Sequence, residues 1–432
     1  MKKTGLFAMV WTTFAAAIAH SQQPAQDAPL PAGEQGGIVI DITESQRDLY
    51  RIALPRPLGD SQSAGVVQSA LRADFALVPN FQVLEERAFI ADLAAEGLGI
   101  GPAQWRSIGA RGVVKAEAVA TGDQLRLEMR FYEVSAGAEP AVSRTFEGPK
   151  VDARRFAHRF ANEILAHLTG RGGVFGTKLL FARATGPGCK DIFHVDMDGF
   201  GLTRITKAGT INLLPAWGPA ESIFYTSFKR MKPEIFRHGQ ETPIFGHPGM
   251  NSGVQMAPSG DRMAVVLSRD GNPEIYTARP DGSDLRRLTN HPGIDVSPAF
   301  SPDGRQIAFV SNRGGSPQIY LMSAEGGDAR RITFAGTYNQ QPTWCGGPDP
   351  TIVFTGRDET TFDLFRVTTQ GAMTRLTQDQ GRNMDPACSP DGRMVAFYSS
   401  RGGVYVMNQY GYHQTLVLRG HAESIRWGMT LP

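Results

Sequence analysis

The chain has little cysteine, almost no net charge and no long apolar run, and each shortage narrows what it can be. Cys189, Cys345 and Cys388 are an odd set for an exported chain, with no zinc-site spacing among them. Cys388 falls where other repeats carry Phe300 and Trp344, so a buried core thiol is expected there and no disulfide. Lysine and arginine number 44, two of them Lys2 and Lys3, against 42 acidic residues, so the rest of the chain is neutral. That balance argues against nucleic acid or an anionic membrane surface, which reward clustered positive charge. The uncharged run from Leu6 to Ile18 is shorter than the roughly 20 residues of a spanning helix, and no later stretch reaches that length. Preceded by Lys2-Lys3 and ending in Ala17-Ile18-Ala19, it has the parts of a secretory signal peptide over 1–19. No cysteine follows closely enough for a lipid anchor.

Catalytic patterns are also missing. There is no Gly-x-Ser-x-Gly elbow and no His-Glu-x-x-His. Asp196-Met197-Asp198-Gly199 starts like a calcium loop, but Lys207 stands where the closing glutamate belongs, so a hairpin turn is expected. His158 and His167 sit too far apart along one helix to share a metal. No catalytic residue, cofactor or metal is expected.

What is present is repetition. In Pro298-Ala299-Phe300-Ser301-Pro302-Asp303-Gly304, proline presets φ for a tight turn and glycine accepts a positive φ. Runs rich in β-branched and aromatic residues flank it. The unit recurs at an offset of 44: Met256, Phe300, Trp344 and Cys388 keep step, as do Leu288-Thr289, Ile332-Thr333 and Leu376-Thr377. A period of this length with several strands per unit marks a β-propeller blade. Further matches at Trp217 and Trp427 make six. Too little chain follows Trp427 for another blade, whereas 176–206 lacks an inner strand, so the C-terminal strand is expected to close the first blade. Arg269, Arg313, Arg357 and Arg401 recur at the same offset and are expected to fork onto backbone carbonyls or a neighbouring blade's carboxylate.

Ahead of the repeats, 20–37 is a Gln-, Ala-, Pro- and Gly-rich leader without periodicity. Residues 38–170 mix periods: strands at Ile38 to Ile42, Leu49 to Leu54 and Leu125 to Phe131, and helices over Ala64 to Leu77 and from Asp152 to Gly170. The expected fold is therefore an α/β N-terminal domain followed by an all-β six-bladed propeller over 175–432.

The leader, the small α/β domain and the propeller together resemble the TolB family, a periplasmic component of the Tol-Pal system. The motifs that carry the resemblance are Ile38-Val39-Ile40-Asp41, Ile52-Ala53-Leu54-Pro55, Tyr338-Asn339-Gln340-Gln341-Pro342 and the Ser-Pro-Asp-Gly turns. It implies a monomeric periplasmic adaptor without enzymatic activity, binding the lipoprotein Pal at the propeller mouth. It also implies that an N-terminal segment binds the C-terminal domain of TolA. Ile38, Val39, Ile40, Asp41, Ile42, Thr43 and Glu44 are the candidates for that segment, since alternating apolar residues can add a strand to a partner's sheet. They can equally form a strand of their own domain.

Residues just before the inner-strand prolines fall in loops entering the channel. Asn251, Ser252, Asp295, Ser297, Asn339, Gln341, Asn383 and Asp385 form a ring of short polar side chains able to bond a partner. The same residue types also cap strands and form Asx-turns. The alternative to an adaptor is a periplasmic propeller that binds a small ligand or glycan, which a closed apolar channel pocket would favour.

Overall fold

In the strand Gln124–Glu133, Leu125, Leu127, Met129 and Phe131 are buried, while Arg126, Glu128 and Arg130 point the other way. One wet side and one dry side place it over a helical layer. The computed structural model, which describes residues 49–358 and 361–428, sets this strand in a six-stranded sheet. The order is Phe81–Val83, Tyr50–Ala53, Gly112–Thr121, Gln124–Glu133, Val142–Pro149, with Leu58–Gly59 also beside Gly112–Thr121. The first pairings are parallel and the last two antiparallel. Helices Ser61–Leu77 and Ala153–Thr169 cover the dry face. Asp60 caps the first, accepting from the Ser63 amide at 2.9 Å, and Gly170 ends the second in the left-handed region. Asp152 does not cap the second helix; its carboxylate takes Arg155 at 2.7 Å. The signal peptide, the leader and the segment Ile38 to Glu44 lie outside the described residues.

The remainder is six sheets in a six-bladed propeller. Inner strands are Glu423–Trp427, Asn212–Trp217, Asn251–Met256, Asp295–Phe300, Tyr338–Cys345 and Asn383–Cys388, defining blades 1 to 6. The C-terminal strand pairs antiparallel with Lys178–Gly186, so blade 1 is built from both ends of the propeller sequence and the ring has no open edge. In blade 2 a single bridge between Ile235 and Phe245 replaces the fourth strand. The expected turns form: the Ser301 hydroxyl donates to Asp303 at 2.5 Å and Ser389 to Asp391 at 2.6 Å. Gly392 has φ 76°, and a Cβ there would sit 2.2 Å from the Gly346 carbonyl oxygen, so no other residue fits.

The cysteine expectation is corrected. Cys345 and Cys388 are joined in a disulfide across blades 5 and 6, with Cα atoms 5.2 Å apart, and Cys189 is free. Alternation explains it. Trp344 faces back to blade 4, its indole donating to Ala299 O at 3.0 Å, so the next residue faces forward to blade 6. Cys388 occupies the Trp344 position one blade on and faces back.

Sheet direction fixes which face is open. Each inner strand starts at one face and ends at the other, where the Pro-Asp-Gly turns and the links from third to fourth strand lie. That second face meets the α/β domain. Arg154 pairs with Asp198 in the turn after the third strand of blade 1, His413 lies 2.8 Å from Ala76 O, and Arg393 reaches Gly172 O. Phe75, Phe175, Leu179, Phe181, Met394 and Val404 share one hydrophobic core, so the domain and blades 1 and 6 are packed as one body. Among the described residues, none of these contacts involves the face where the inner strands begin.

Candidate partner-binding mouth

Seven of the eight expected mouth residues fall into two rings with different work. Asn251, Asp295, Asn339 and Asn383 are buried at 0 or 1% exposure, and each is the first or second residue of an inner strand. Their side chains fasten one blade to the previous one. The Asn339 amide donates to Gln318 Oε1 at 2.7 Å, which also accepts from Thr333. Asn383 donates to Asp363 Oδ1 at 3.0 Å, which accepts from Thr377, while Arg375 holds the other oxygen at 2.5 Å. Asn212, Asp191, Thr206 and Arg204 repeat the arrangement between blades 1 and 2. The threonines that close successive repeats are the middle of this lock. Asn251 instead bonds the carbonyls of Pro233 and His247. These side chains are engaged inside the ring and offer a partner little.

Asp295 is the exception in kind. It faces Glu274 where other seams have an amide, and Arg313 binds it at 2.6 Å. Burial pushes its carboxyl above the usual range, and Glu274 adds to this while Ser311 and Arg313 oppose it. Arg313 thus pairs within its own blade rather than with a neighbour, as does Arg401, which takes Gln414 at 2.6 Å.

Ser297, Gln341 and Asp385 belong to the second ring, whereas Ser252 pairs with Val266 one residue before the ring position held by Gly253. Each inner strand breaks register just after its start, in a β-bulge. Leu214, Gly253, Ser297, Gln341, Asp385 and Ser424 sit at those bulges with φ between 49° and 64°. Five of the six are not glycine, and left-handed backbone costs such residues about 1–2 kcal/mol each. Strain repeated around an axis turns this backbone toward the channel. A polar chain crosses part of the ring: Thr355 donates to Gln341 Oε1 at 2.8 Å, and the Gln341 amide donates to Asp385. Burial pushes the Asp385 carboxyl up to about 6, with Glu423 pushing the same way and the Ser424 amide, Arg426 and Lys190 opposing. Thr355, Ser424 and Leu214 were not picked out from the sequence as mouth residues; the signal that finds the latter two is that they precede Trp427 and Trp217 by three residues, as Gln341 and Asp385 precede Trp344 and Cys388.

On the opposite face, Asp74, His158 and Asp198 bring ligand-type atoms within 4.8 Å of one another. Both oxygens of Asp74 lie within 2.9 Å of His158 Nδ1, and Arg154 occupies Asp198. Desolvation raises Asp74 to about 6 against the pull of His158, whose own pKa is raised: burial lowers it, but Asp74 outweighs that. The ligand-type atoms are thus taken up by His158 and Arg154, and the Arg154–Asp198 pair joins the domain to the propeller. A cavity of about 450 Å³ also lies on this face, between blades 2 and 3, lined by Arg237, Ile244 and Arg279.

An α/β domain packed on one face of a disulfide-linked six-bladed ring defines a two-domain β-propeller protein. The TolB beta propeller domain model matches residues 165–410 and the TolB amino-terminal domain model matches 38–139. The chain belongs to the TolB family of the Tol-Pal system. It is 37% identical over 283 residues to the Tol-Pal system protein TolB of Anaeromyxobacter dehalogenans, a match covering 64% of each. Against the TolB of Desulfosudis oleivorans it is 34% identical over 189 residues, 43% of each. The matches thus span from under half to just under two thirds of these relatives. The crystal structure of TolB from Acinetobacter baumannii has the same fold, with a TM-score of 0.75 at 24% identity, covering 90% of this chain and 98% of that one. The names of these relatives indicate no catalytic activity. Among the described residues no helix is long and apolar enough to cross a membrane.

Proposed function

We propose that the chain is a periplasmic, non-enzymatic adaptor that receives the lipoprotein Pal at the open mouth of the propeller and engages TolA through Ile38 to Glu44. In that role it links an inner-membrane partner to the outer membrane, supporting envelope integrity and constriction at division. The observation that carries this reading is the channel ring, in which Ser297, Gln341 and Asp385 repeat at the start of the inner strands, on the face away from the described contacts with the α/β domain. Polar groups on a rigid scaffold favour a protein partner over a small ligand, and the cavity between blades 2 and 3 lies away from this channel. The test is a pull-down of the chain from residue 20 with the periplasmic domain of its cognate Pal. Wild type is expected to bind and a folded Ser297→Arg/Gln341→Arg variant to lose binding. Retention by the variant would remove Pal from the channel.

A further inference from the structure

Blade 2 departs from its sisters at two places on the open face. Its second and third strands are joined by Phe228-Lys229-Arg230-Met231-Lys232-Pro233. The corresponding loops of blades 3 and 4 are the same length and also end in proline, at Pro273 and Pro317. At the fourth loop position those blades place Gly271 and Gly315, with φ 126° and 101°. Blade 2 places Met231 there, at φ 65° and 94% exposed. A glycine would remove both the left-handed strain and the wetted apolar surface. Nothing inside the blade gains from the methionine.

The second departure is in the channel ring. Where the other blades carry Gly253, Ser297, Gln341, Asp385 and Ser424, blade 2 carries Leu214, half-buried beside half-buried Leu213. The Phe228 amide donates to Ile211 O at 3.0 Å, so the loop bearing Met231 is fastened at the start of the strand bearing Leu214. Around Met231 three cations outnumber two carboxylates. Lys229 meets exposed Glu241 at 3.5 Å, and Arg230 and Lys232 share buried Glu234 at 3.6 and 3.1 Å.

We propose that blade 2 is the docking sector of the mouth, with Met231 and Leu214 receiving an apolar anchor on a folded protein partner whose surrounding surface is acidic. The proposal rests on the reading that a protein enters the mouth. Strained residues persist where function uses them, and an apolar contact rimmed by opposite charge is the arrangement of an interface hot spot.

The test is a calorimetric titration of the full chain with the periplasmic domain of Pal, comparing wild type, Met231→Gly and Leu214→Ser. Met231→Gly supplies the sister residue and is expected to leave the thermal unfolding midpoint unchanged or raised. Its affinity is expected to fall roughly tenfold, the loss that goes with unburying a methionine side chain. Leu214→Ser is expected to weaken binding as well, and added salt to weaken wild type further. Equal affinity of wild type and Met231→Gly overturns the assignment to blade 2 while leaving the mouth reading intact. Absence of wild-type binding removes the mouth reading and this inference with it.

Discussion

Two rings lie two residues apart on the same inner strands and do opposite things. The first, Asn251, Asp295, Asn339 and Asn383, is buried, and its three asparagines are hydrogen-bonded across seams, so they hold blades together. The second, Gly253, Ser297, Gln341 and Asp385, sits in left-handed bulges and shapes the channel. Both are polar and both keep the 44-residue offset. What separates them is where the hydrogen-bonding capacity is directed: inward to the neighbouring blade, or toward the axis. Polar periodicity alone therefore does not mark a binding site.

The comparison is tested hardest by breaking the seams. Trp344→Ala removes a buried aromatic and its bond to Ala299 O, and is expected to cost about 3–5 kcal/mol in urea or thermal unfolding. Reducing the Cys345–Cys388 bond, or replacing both residues by serine, is expected to cost about 2–4 kcal/mol, since it frees a loop of 43 residues in the unfolded chain.

The rings themselves are compared next. Asn383→Ala leaves Asp363 short of a donor and is expected to cost about 1–3 kcal/mol. Ser297→Gly, two positions along the equivalent strand, is expected to change stability by less than about 1 kcal/mol. There, relief of left-handed strain offsets the freedom glycine adds to the unfolded chain. Equal losses in denaturant unfolding would mean that the two rings are not distinct.

The channel ring also predicts a pH dependence. The folded pKa of Asp385, about 6, lies above its unfolded value, so the native state prefers the protonated carboxyl. Its contribution is present below the unfolded pKa and is lost as pH rises through about 6. Asp385→Asn is expected to stabilise the chain above pH 6, by an amount on the order of 1 kcal/mol, and to converge with wild type in acid. Melting curves across that range check the sign.

Much of the fold was legible because the sequence repeats it. Constant spacing of Phe300, Trp344 and Cys388 gave the blades, and the unpaired parts over 176–206 pointed to Trp427 as the missing inner strand. The mouth was only half legible. Asn339 and Gln341 are both polar residues before a proline, and nothing in their identity says that one amide bonds back to Gln318 of blade 4 and the other forward to Asp385 of blade 6. That difference is set by a register break, and Ser297, Gln341 and Asp385 lack the glycine that signals positive φ. The disulfide was missed because Cys345 was not placed on the forward face of its strand, one step past Trp344. The joint of Arg154 with Asp198 and Asp74 with His158 depends on how the α/β domain packs, and no local spacing encodes it.

The central claim, that the face where inner strands begin is the one a partner enters, is tested most directly by site-specific photo-crosslinking to the periplasmic domain of Pal. A crosslinker at Ser252, the residue before channel-ring Gly253, is compared with one at Arg279, on the face bearing the α/β domain. The account predicts adducts from Ser252 and none from Arg279. Adducts from Arg279 with none from Ser252 would contradict it.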